Sequence, residues 1–257
     1  MTDSYIVGTF DITELVFLTF VLFFIALVFY LRREDRREGY PLEDEATGRV
    51  ESLGGPLSRA SPKTFNLPHG HGVSSPESGA RERVDVPGKR AFGSNGAPYV
   101  PTGNPLVDGI GPASWANRKP VPDVTHDGRP RIVPLSLEEH ITIAAKDPNP
   151  IGMTVLGADG GIAGKVTEVW IDRAEHVIRY LSVLTETGKT VLAPMAMAVV
   201  KKNHGKIIVD ALDAAQFAGA PVPAAPDEIT LYEEERIVAY FGGGYLYANP
   251  RRQEPVL

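Results

Sequence analysis

Seventeen consecutive residues without a formal charge, LVFLTFVLFFIALVFYL from Leu15 to Leu31, constrain this chain more than any other feature. With Ile12 and Thr13 the span reaches about 20 residues, or roughly 30 Å of α-helix, the thickness of a bilayer's hydrocarbon core. Asp11 followed by Glu14 has the form of a capping box, which places the helix start near Ile12. A core helix of a soluble domain keeps a polar face. This one is apolar all round apart from Thr19 and the Tyr30 hydroxyl, so it reads as a transmembrane helix. A cleaved signal peptide is the alternative, but no Lys or Arg precedes Arg32, and the run ends in YLRREDRREGYPL, not in a small-residue cleavage site. The anchor is expected to stay attached.

Residues 1–31 carry no basic side chain, whereas Arg32, Arg33, Arg36 and Arg37 follow at once. Basic flanks are retained in the cytoplasm, so residues 1–11 are expected in the periplasm and the bulk of the chain on the cytoplasmic face of a bacterial-type membrane. Residues 12–38 form the spanning helix and its juxtamembrane extension, anchored by the four arginines together with Tyr30 and Tyr40. Glu34, Asp35 and Glu38 are interleaved with these arginines. Such a mixed run suits lipid headgroups and also the ionic surface of a partner protein. One span cannot alone form a channel or transporter.

The 257 residues contain no Cys, which excludes disulfides, thiolate zinc sites, cysteine-ligated iron–sulfur clusters and cysteine nucleophiles. A net charge of −6, from 26 basic and 32 acidic residues, argues against nucleic acid as a partner.

From Glu43 to Pro112 the chain holds 12 Gly and 9 Pro, a composition with few expected helices and strands. Yet Phe65, Leu67, Phe92, Tyr99, Leu106 and Val107 recur inside it, each beside Pro or Gly. Residues 39–133 therefore read as an extended arm that buries these anchors on partner subunits, with a loose tether as the alternative. The HGHG run at His69 to Gly72 resembles a metal pair but lacks third and fourth ligands nearby.

Residues 134–257 read as a mainly-β domain. Apolar residues alternate over Thr154 to Leu156, Ile162 to Ile171, Val177 to Leu184, Thr190 to Ala193, Ala198 to Val200 and Lys206 to Val209, with turn signals between them. Short strands at this spacing predict a small antiparallel β-barrel or sandwich. GADGGIAG has the wrong glycine spacing for a nucleotide fingerprint and reads as a hairpin turn. Thr230 with Glu233 forms a second capping box, opening a C-terminal helix that is expected to stop at Gly242-Gly243-Gly244 and to pack through Ile237, Val238 and Phe241.

No HExxH, GxSxG, phosphate loop or kinase motif is present, and the expectation is that the chain is not an enzyme. The chemically interesting cluster is Asp172, Glu175 and His176 with Arg173 and Arg179 at the end of one strand. Carboxylates held near arginines can have their pKa values pushed apart and share a proton near neutral pH. The alternative is a solvated hairpin turn with ordinary surface charges.

The junction YLRREDRREGYPLE (Tyr30 to Glu43), the arm segments PKTFNLPHG (Pro62 to Gly70) and PTGNPLVDGIGPASW (Pro101 to Trp115), the stretch GKVTEVWIDRAEHVIRYL (Gly164 to Leu181) and the ending LYEEERIVAYFGGGYLYA (Leu231 to Ala248) closely resemble the H subunit of the photosynthetic reaction centre of purple bacteria. The similarity runs nearly end to end. It implies a single N-terminal transmembrane α-helix plus a cytoplasmic barrel of the reaction-centre type with a C-terminal helix, in the bacterial inner, intracytoplasmic membrane. It also implies a cap on the L and M subunits that stabilises the core, shields the quinones and delivers protons to the secondary quinone. By the same resemblance, bacteriochlorophyll, bacteriopheophytin, quinones and non-haem iron belong to partner subunits and none to this chain. Light-harvesting antenna subunits, a cytochrome subunit and membrane lipids are further expected neighbours.

Under this resemblance Glu175 matches the family's inner relay carboxylate and Asp172 its acidic neighbour, with Arg179 and His176 tuning their charge. Where family members carry an Asp and two His in a short uptake loop, this sequence reads Thr125, Asp127 and Arg129, with His126 one place away. That departure leaves the uptake route open, with His126 and Asp127 as its candidates. Two rival classes are a membrane-tethered barrel adaptor in RNA or ribosome maturation and a membrane-bound hydrolase, for which no nucleophile is evident.

Overall fold

The computed structural model describes residues 5–7, 10–37, 40, 42–44, 47–50, 60, 63–75 and 85–253. The chain divides into two compact units, residues 1–84 with 93–97, and residues 85–92 with 98–257.

In the first unit, strands β1 (Tyr5–Val7) and β2 (Phe10–Asp11) precede helix α1 (Ile12–Asp35), and β3 (Phe65–Asn66) pairs with β4 (Val73–Ser74). Asp11 caps α1 as expected, its carboxylate accepting from the backbone N–H groups of Thr13 and Glu14. No described residue of α1 has a fully buried side chain, and its mean hydropathy over an 18-residue window is 2.6. An apolar surface of this length left uncovered needs a non-aqueous environment.

The second unit is built around a curled sheet. Strand β5 (Gly88–Arg90) pairs with β6 (Tyr99–Pro101) as a separate hairpin, followed by the short helix α2 (Pro105–Asp108). The main sheet comprises β7 (Ile132–Pro134), β8 (Thr154–Leu156), β9 (Ile162–Asp172), β10 (Val177–Thr185), β11 (Thr190–Pro194), β12 (Val199–Lys201) and β13 (Lys206–Ile208), with the order β11-β10-β9-β8-β13-β12. All six strands anticipated from alternation form within a residue or two of their expected ends. The alternation is clear where fully buried Val166 lies between exposed Lys165 and Thr167, while Val183 and Val191 each have one buried neighbour, Ser182 and Leu192, as in strands covered on both faces.

The expected mainly-β barrel domain with a C-terminal helix is present, and two features distinguish it from a regular antiparallel barrel. β8 and β13 run parallel, and the edge strands β11 and β12 do not pair, so the sheet stays open. Pro194 ends β11 without an N–H to continue a ladder, and the 3-10 turn Met195–Met197 carries the chain across the gap. β7 is an additional strand. It pairs with the far end of β9, which is long enough to hold β7 and β8 along one side and β10 along the other.

Helix α3 (Leu231–Tyr247) opens on the full reciprocal box: Thr230 N–H donates to Glu233 Oε2 at 2.9 Å, and Glu233 N–H donates to Thr230 Oγ1 at 3.2 Å. It does not stop at the glycines. Gly243 lies so close to Ala113 that a Cβ would sit 2.5 Å from that residue's Cβ, and a Cβ on Gly244 would stand 2.2 Å from the Ala211 carbonyl oxygen. These glycines let the helix approach its neighbours closely, and packing overrides their poor helix propensity. Ile237 and Phe241 are buried as expected, with Phe241 edge-on to Phe217 at 5.4 Å, but Val238 is 41% exposed because it sits one helical step off that stripe.

Candidate functional site

Asp172 closes β9 with its side chain fully buried. A buried carboxylate has to be paired and hydrogen-bonded to stay charged. Its Oδ1 accepts from the N–H groups of Ala174 at 2.9 Å and Glu175 at 3.0 Å, the turn-forming use to which Asp is suited, and its Oδ2 accepts from Arg131 Nε at 2.9 Å. Burial by itself pushes the Asp172 carboxyl up. The Arg131 guanidinium and the two amides outweigh it and hold the group below the ordinary carboxylate range.

Arg131 is the residue the sequence reading did not single out. Its three guanidinium nitrogens reach three acids: Asp172, Glu175 Oε1 at 2.7 Å and Asp123 Oδ2 at 3.3 Å. The Arg131 N–H also donates to the Asp123 carbonyl at 2.8 Å, and the Arg173 N–H donates to the Arg131 carbonyl at 2.9 Å. Arg131 therefore sits at the base of a small ribbon whose tip is the turn Thr125 to Arg129. The pairing partners of this ribbon are what a sequence scan cannot show.

At the ribbon's tip Thr125 is buried and donates through its hydroxyl to the Asp127 carboxylate, to which Arg129 Nε also donates at 2.6 Å. Thr125 and Arg129 together pull the Asp127 carboxyl down to about 2. His126 is exposed on the same turn. The two sequence-predicted groups, His126 with Asp127 and Asp172 with Glu175, are thus joined through one ribbon and one arginine.

The remaining predicted residues point elsewhere. His176 adopts a left-handed backbone, φ 55°, and its N–H donates to the Asp172 carbonyl at 2.8 Å. Its side chain lines an apolar groove of about 550 Å³ with Leu135, Ile143, Pro148 and Met195. Arg173 pairs with Glu138 and donates to the Pro130 carbonyl at 2.8 Å, bracing the ribbon.

Arg179 lines a cavity of about 630 Å³ together with Asp123, Tyr180, Glu234 and Val238. Inside it, Tyr180 Oη donates to Glu234 Oε2 at 3.0 Å. Burial pushes both groups up, and the charges of Asp123, Arg131 and Arg179 bear on Glu234. Glu234 was legible only as a helix residue beside a capping box. Its role as a partly buried acid depends on how α3 packs.

The expected anchors lie at the end of α1. Tyr30 and Arg32 are exposed, Arg33 is half-buried, Arg36 stacks over Tyr40 at 5.3 Å, and Arg37 is bidentate to Glu34, Nη2 donating to Oε1 at 2.8 Å and Nε to Oε2 at 3.0 Å. Lys63 approaches Glu34 at 3.8 Å. Glu38 lies outside the described residues. Of the arm's apolar residues, Leu106 is buried against the chain's own core, while Phe65, Phe92, Tyr99 and Val107 remain 41–54% exposed and Leu67 is half-buried. His69 and His71 do not form part of a group of three or more potential metal ligands among the described residues.

Comparison with known families gives two matches. The sequence model described as photosynthetic reaction centre, H-chain N-terminal region, matches residues 4–137, more than half of the chain, and that of the PRC-barrel domain matches residues 144–216.

Proposed function

The chain belongs to the photosynthetic reaction-centre H-chain family, and from that premise we propose that it caps the L and M subunits on the cytoplasmic side, stabilises their assembly, shields the quinone sites and conducts protons to the secondary quinone. Membership makes it an H-type subunit associated with the reaction-centre core, and its apolar N-terminal helix, the one candidate span among the described residues, fits a single-pass membrane protein. The arginines after α1 favour a periplasmic N-terminus. Phe65, Phe92, Tyr99 and Val107 supply apolar surface for the core subunits to cover. The pigments, quinones and non-haem iron of such an assembly belong to its other subunits, and this subunit's part is non-catalytic. A barrel adaptor outside photosynthesis would share the second family match but not the first.

The observation that carries the proton-conducting reading is the Arg131 cluster, which joins an exposed carboxylate to a buried one. A quinone reduced beneath a water-excluding cap needs titratable steps leading inward. Glu175, held by Arg131 at 2.7 Å beside the buried Asp172, is the relay carboxylate of this path. Asp172 stays ionised and its charge favours an excess proton nearby, while Arg131 keeps its proton and fixes the spacing of the acids. Glu234, whose neutral form burial favours, offers a further titratable step, and the Arg179 charge tunes it. His126 at the ribbon's tip is the candidate entry group, Asp127 beside it stays ionised and supplies fixed negative charge, and His176 positions the turn through its backbone.

Glu175→Gln in the pigment-containing assembly tests this. Gln keeps the hydrogen bond to Arg131 but cannot carry a proton. Flash-induced proton uptake, followed with a pH dye, should slow while primary charge separation is unchanged. Uptake at the wild-type rate removes Glu175 from the path.

A further inference from the structure

The register of the curled sheet places one residue from each of six strands in a single transverse row. Lys201 is opposite Lys206, Lys206 opposite Thr154, Thr154 opposite Lys165, Lys165 opposite Leu184 and Leu184 opposite Thr190. Directly paired residues share a face. The rows on either side of it point inward, Val200, Ile207 and Val155 on one side and Val166, Val183 and Val191 on the other, so the first row is on the outside. The three lysines and Thr190 are exposed, and so is Leu184 at 42%. Lys202 and His204, in the connection between β12 and β13, extend the same basic end. No acid interrupts the row, although the chain as a whole carries a net charge of −6.

These lysines have no evident structural purpose. Among the described residues, none of Lys165, Lys201 and Lys206 is in an ion pair. Lys201 directly opposite Lys206 is a like-charge cross-strand pair, which opposes folding. Lysines are common on edge strands, where they block unwanted strand pairing. That accounts for Lys201 on β12 but not for Lys206 on β13 or Lys165 on β9, both of which are paired on two sides.

We infer that this row is a second membrane contact, resting on the anionic headgroups of the leaflet into which α1 is inserted. Neither of the two cavities described above is lined by its lysines, so the row offers no described pocket for a defined acidic side chain. Lysine is depleted in protein–protein interface cores yet suited to the diffuse field of an anionic leaflet. Tethering by α1 keeps the domain close to that surface, where even a weak contact is populated. The inference rests on the membrane-anchored reading of the chain.

The absence of Cys permits a unique label at Thr154→Cys, in the middle of the row. The probe is an environment-sensitive fluorophore, in the pigment-containing assembly and in the full-length chain alone. Both go into nanodiscs of phosphatidylcholine, or of phosphatidylcholine with phosphatidylglycerol, with a quencher on the lipid headgroups. Headgroup quenching is expected only with phosphatidylglycerol. It should fall about fivefold for each of Lys165→Gln, Lys201→Gln and Lys206→Gln at low salt, survive the corresponding Lys→Arg changes, and vanish near 1 M salt, where screening shortens to about 3 Å. Equal quenching in both lipids, or no effect of the Gln changes, overturns the inference. So does a label shielded in both lipids whose triple Gln variant loses a partner subunit, since the row would then bind an acidic protein. Intact pigment bands in a label indifferent to lipid charge would leave the family-based function standing and this contact refuted.

Discussion

Arg131 Nε donates to Asp172 Oδ2 at 2.9 Å across 41 residues of sequence, and the same guanidinium holds Glu175 and Asp123. One arginine thus ties the last residue of β9 and the turn after it to a ribbon that precedes the sheet.

Removing the charge at Asp172 should destabilise the domain far more than removing it at Glu175. Asp172→Asn leaves Arg131 half-buried without its main counter-charge and weakens two backbone caps, a loss of about 2–3 kcal/mol. Glu175→Gln, at a half-exposed position, should cost under about 1 kcal/mol. Urea denaturation of the two variants checks the ranking, and equal midpoints would contradict it.

The pH dependence of stability should separate Asp172 from Glu234. The Asp172 carboxyl is held low in the folded chain, so its contribution is fully present above about pH 4 and is lost as pH falls through the folded value. Asp172→Asn should therefore flatten the acid limb. Burial pushes Glu234 the other way, so the folded chain keeps that proton to higher pH than the unfolded one, and stability declines as pH rises through the folded value. Glu234→Gln retains an acceptor for Tyr180 and should remove this decline. Denaturation midpoints measured from about pH 3 to about pH 8, from below the ordinary carboxylate range to well above it, test both.

The three consecutive glycines of α3 should respond unequally to alanine. Gly242 would meet nothing nearer than 3.8 Å, so Gly242→Ala should be neutral or stabilising by up to about 1 kcal/mol through helix propensity. Gly243→Ala and Gly244→Ala force a Cβ into Ala113 and the Ala211 carbonyl, and should cost about 1–3 kcal/mol despite the same propensity gain. Thermal melting of the three single variants decides the matter; a uniform response would mean that the helix ends differently from the way described.

Replacing Phe65, Phe92, Tyr99 and Val107 together by Ser should leave the melting of the isolated chain within about 0.5 kcal/mol per site, as for exposed positions generally. Copurification with a bacteriochlorophyll-bearing core, read by near-infrared absorption, should fall sharply. Undiminished pigment recovery would show that these side chains are not the arm's anchors.

Local physics was legible in the sequence. The apolar run that becomes α1, the period-two alternation behind β8 to β13 and the Thr230–Glu233 box each depend on residues within a few positions of one another, so their pattern is written linearly. Asp172 and Glu175 could be picked out for the same reason, since three residues of one turn hold them together. Arg131, Glu234, the parallel pairing of β8 with β13 and the continuation of α3 through Gly243 and Gly244 could not. Each is settled by segments that meet only after long loops have closed: the ribbon against β9, α3 over Tyr180, and Ala113 and Ala211 against a bare helix face. Periodicity and capping thus reveal which segments become helix or strand. Which charged groups end up buried, paired and near one another depends on register and close packing between distant parts of the chain, and that only the tertiary structure decides.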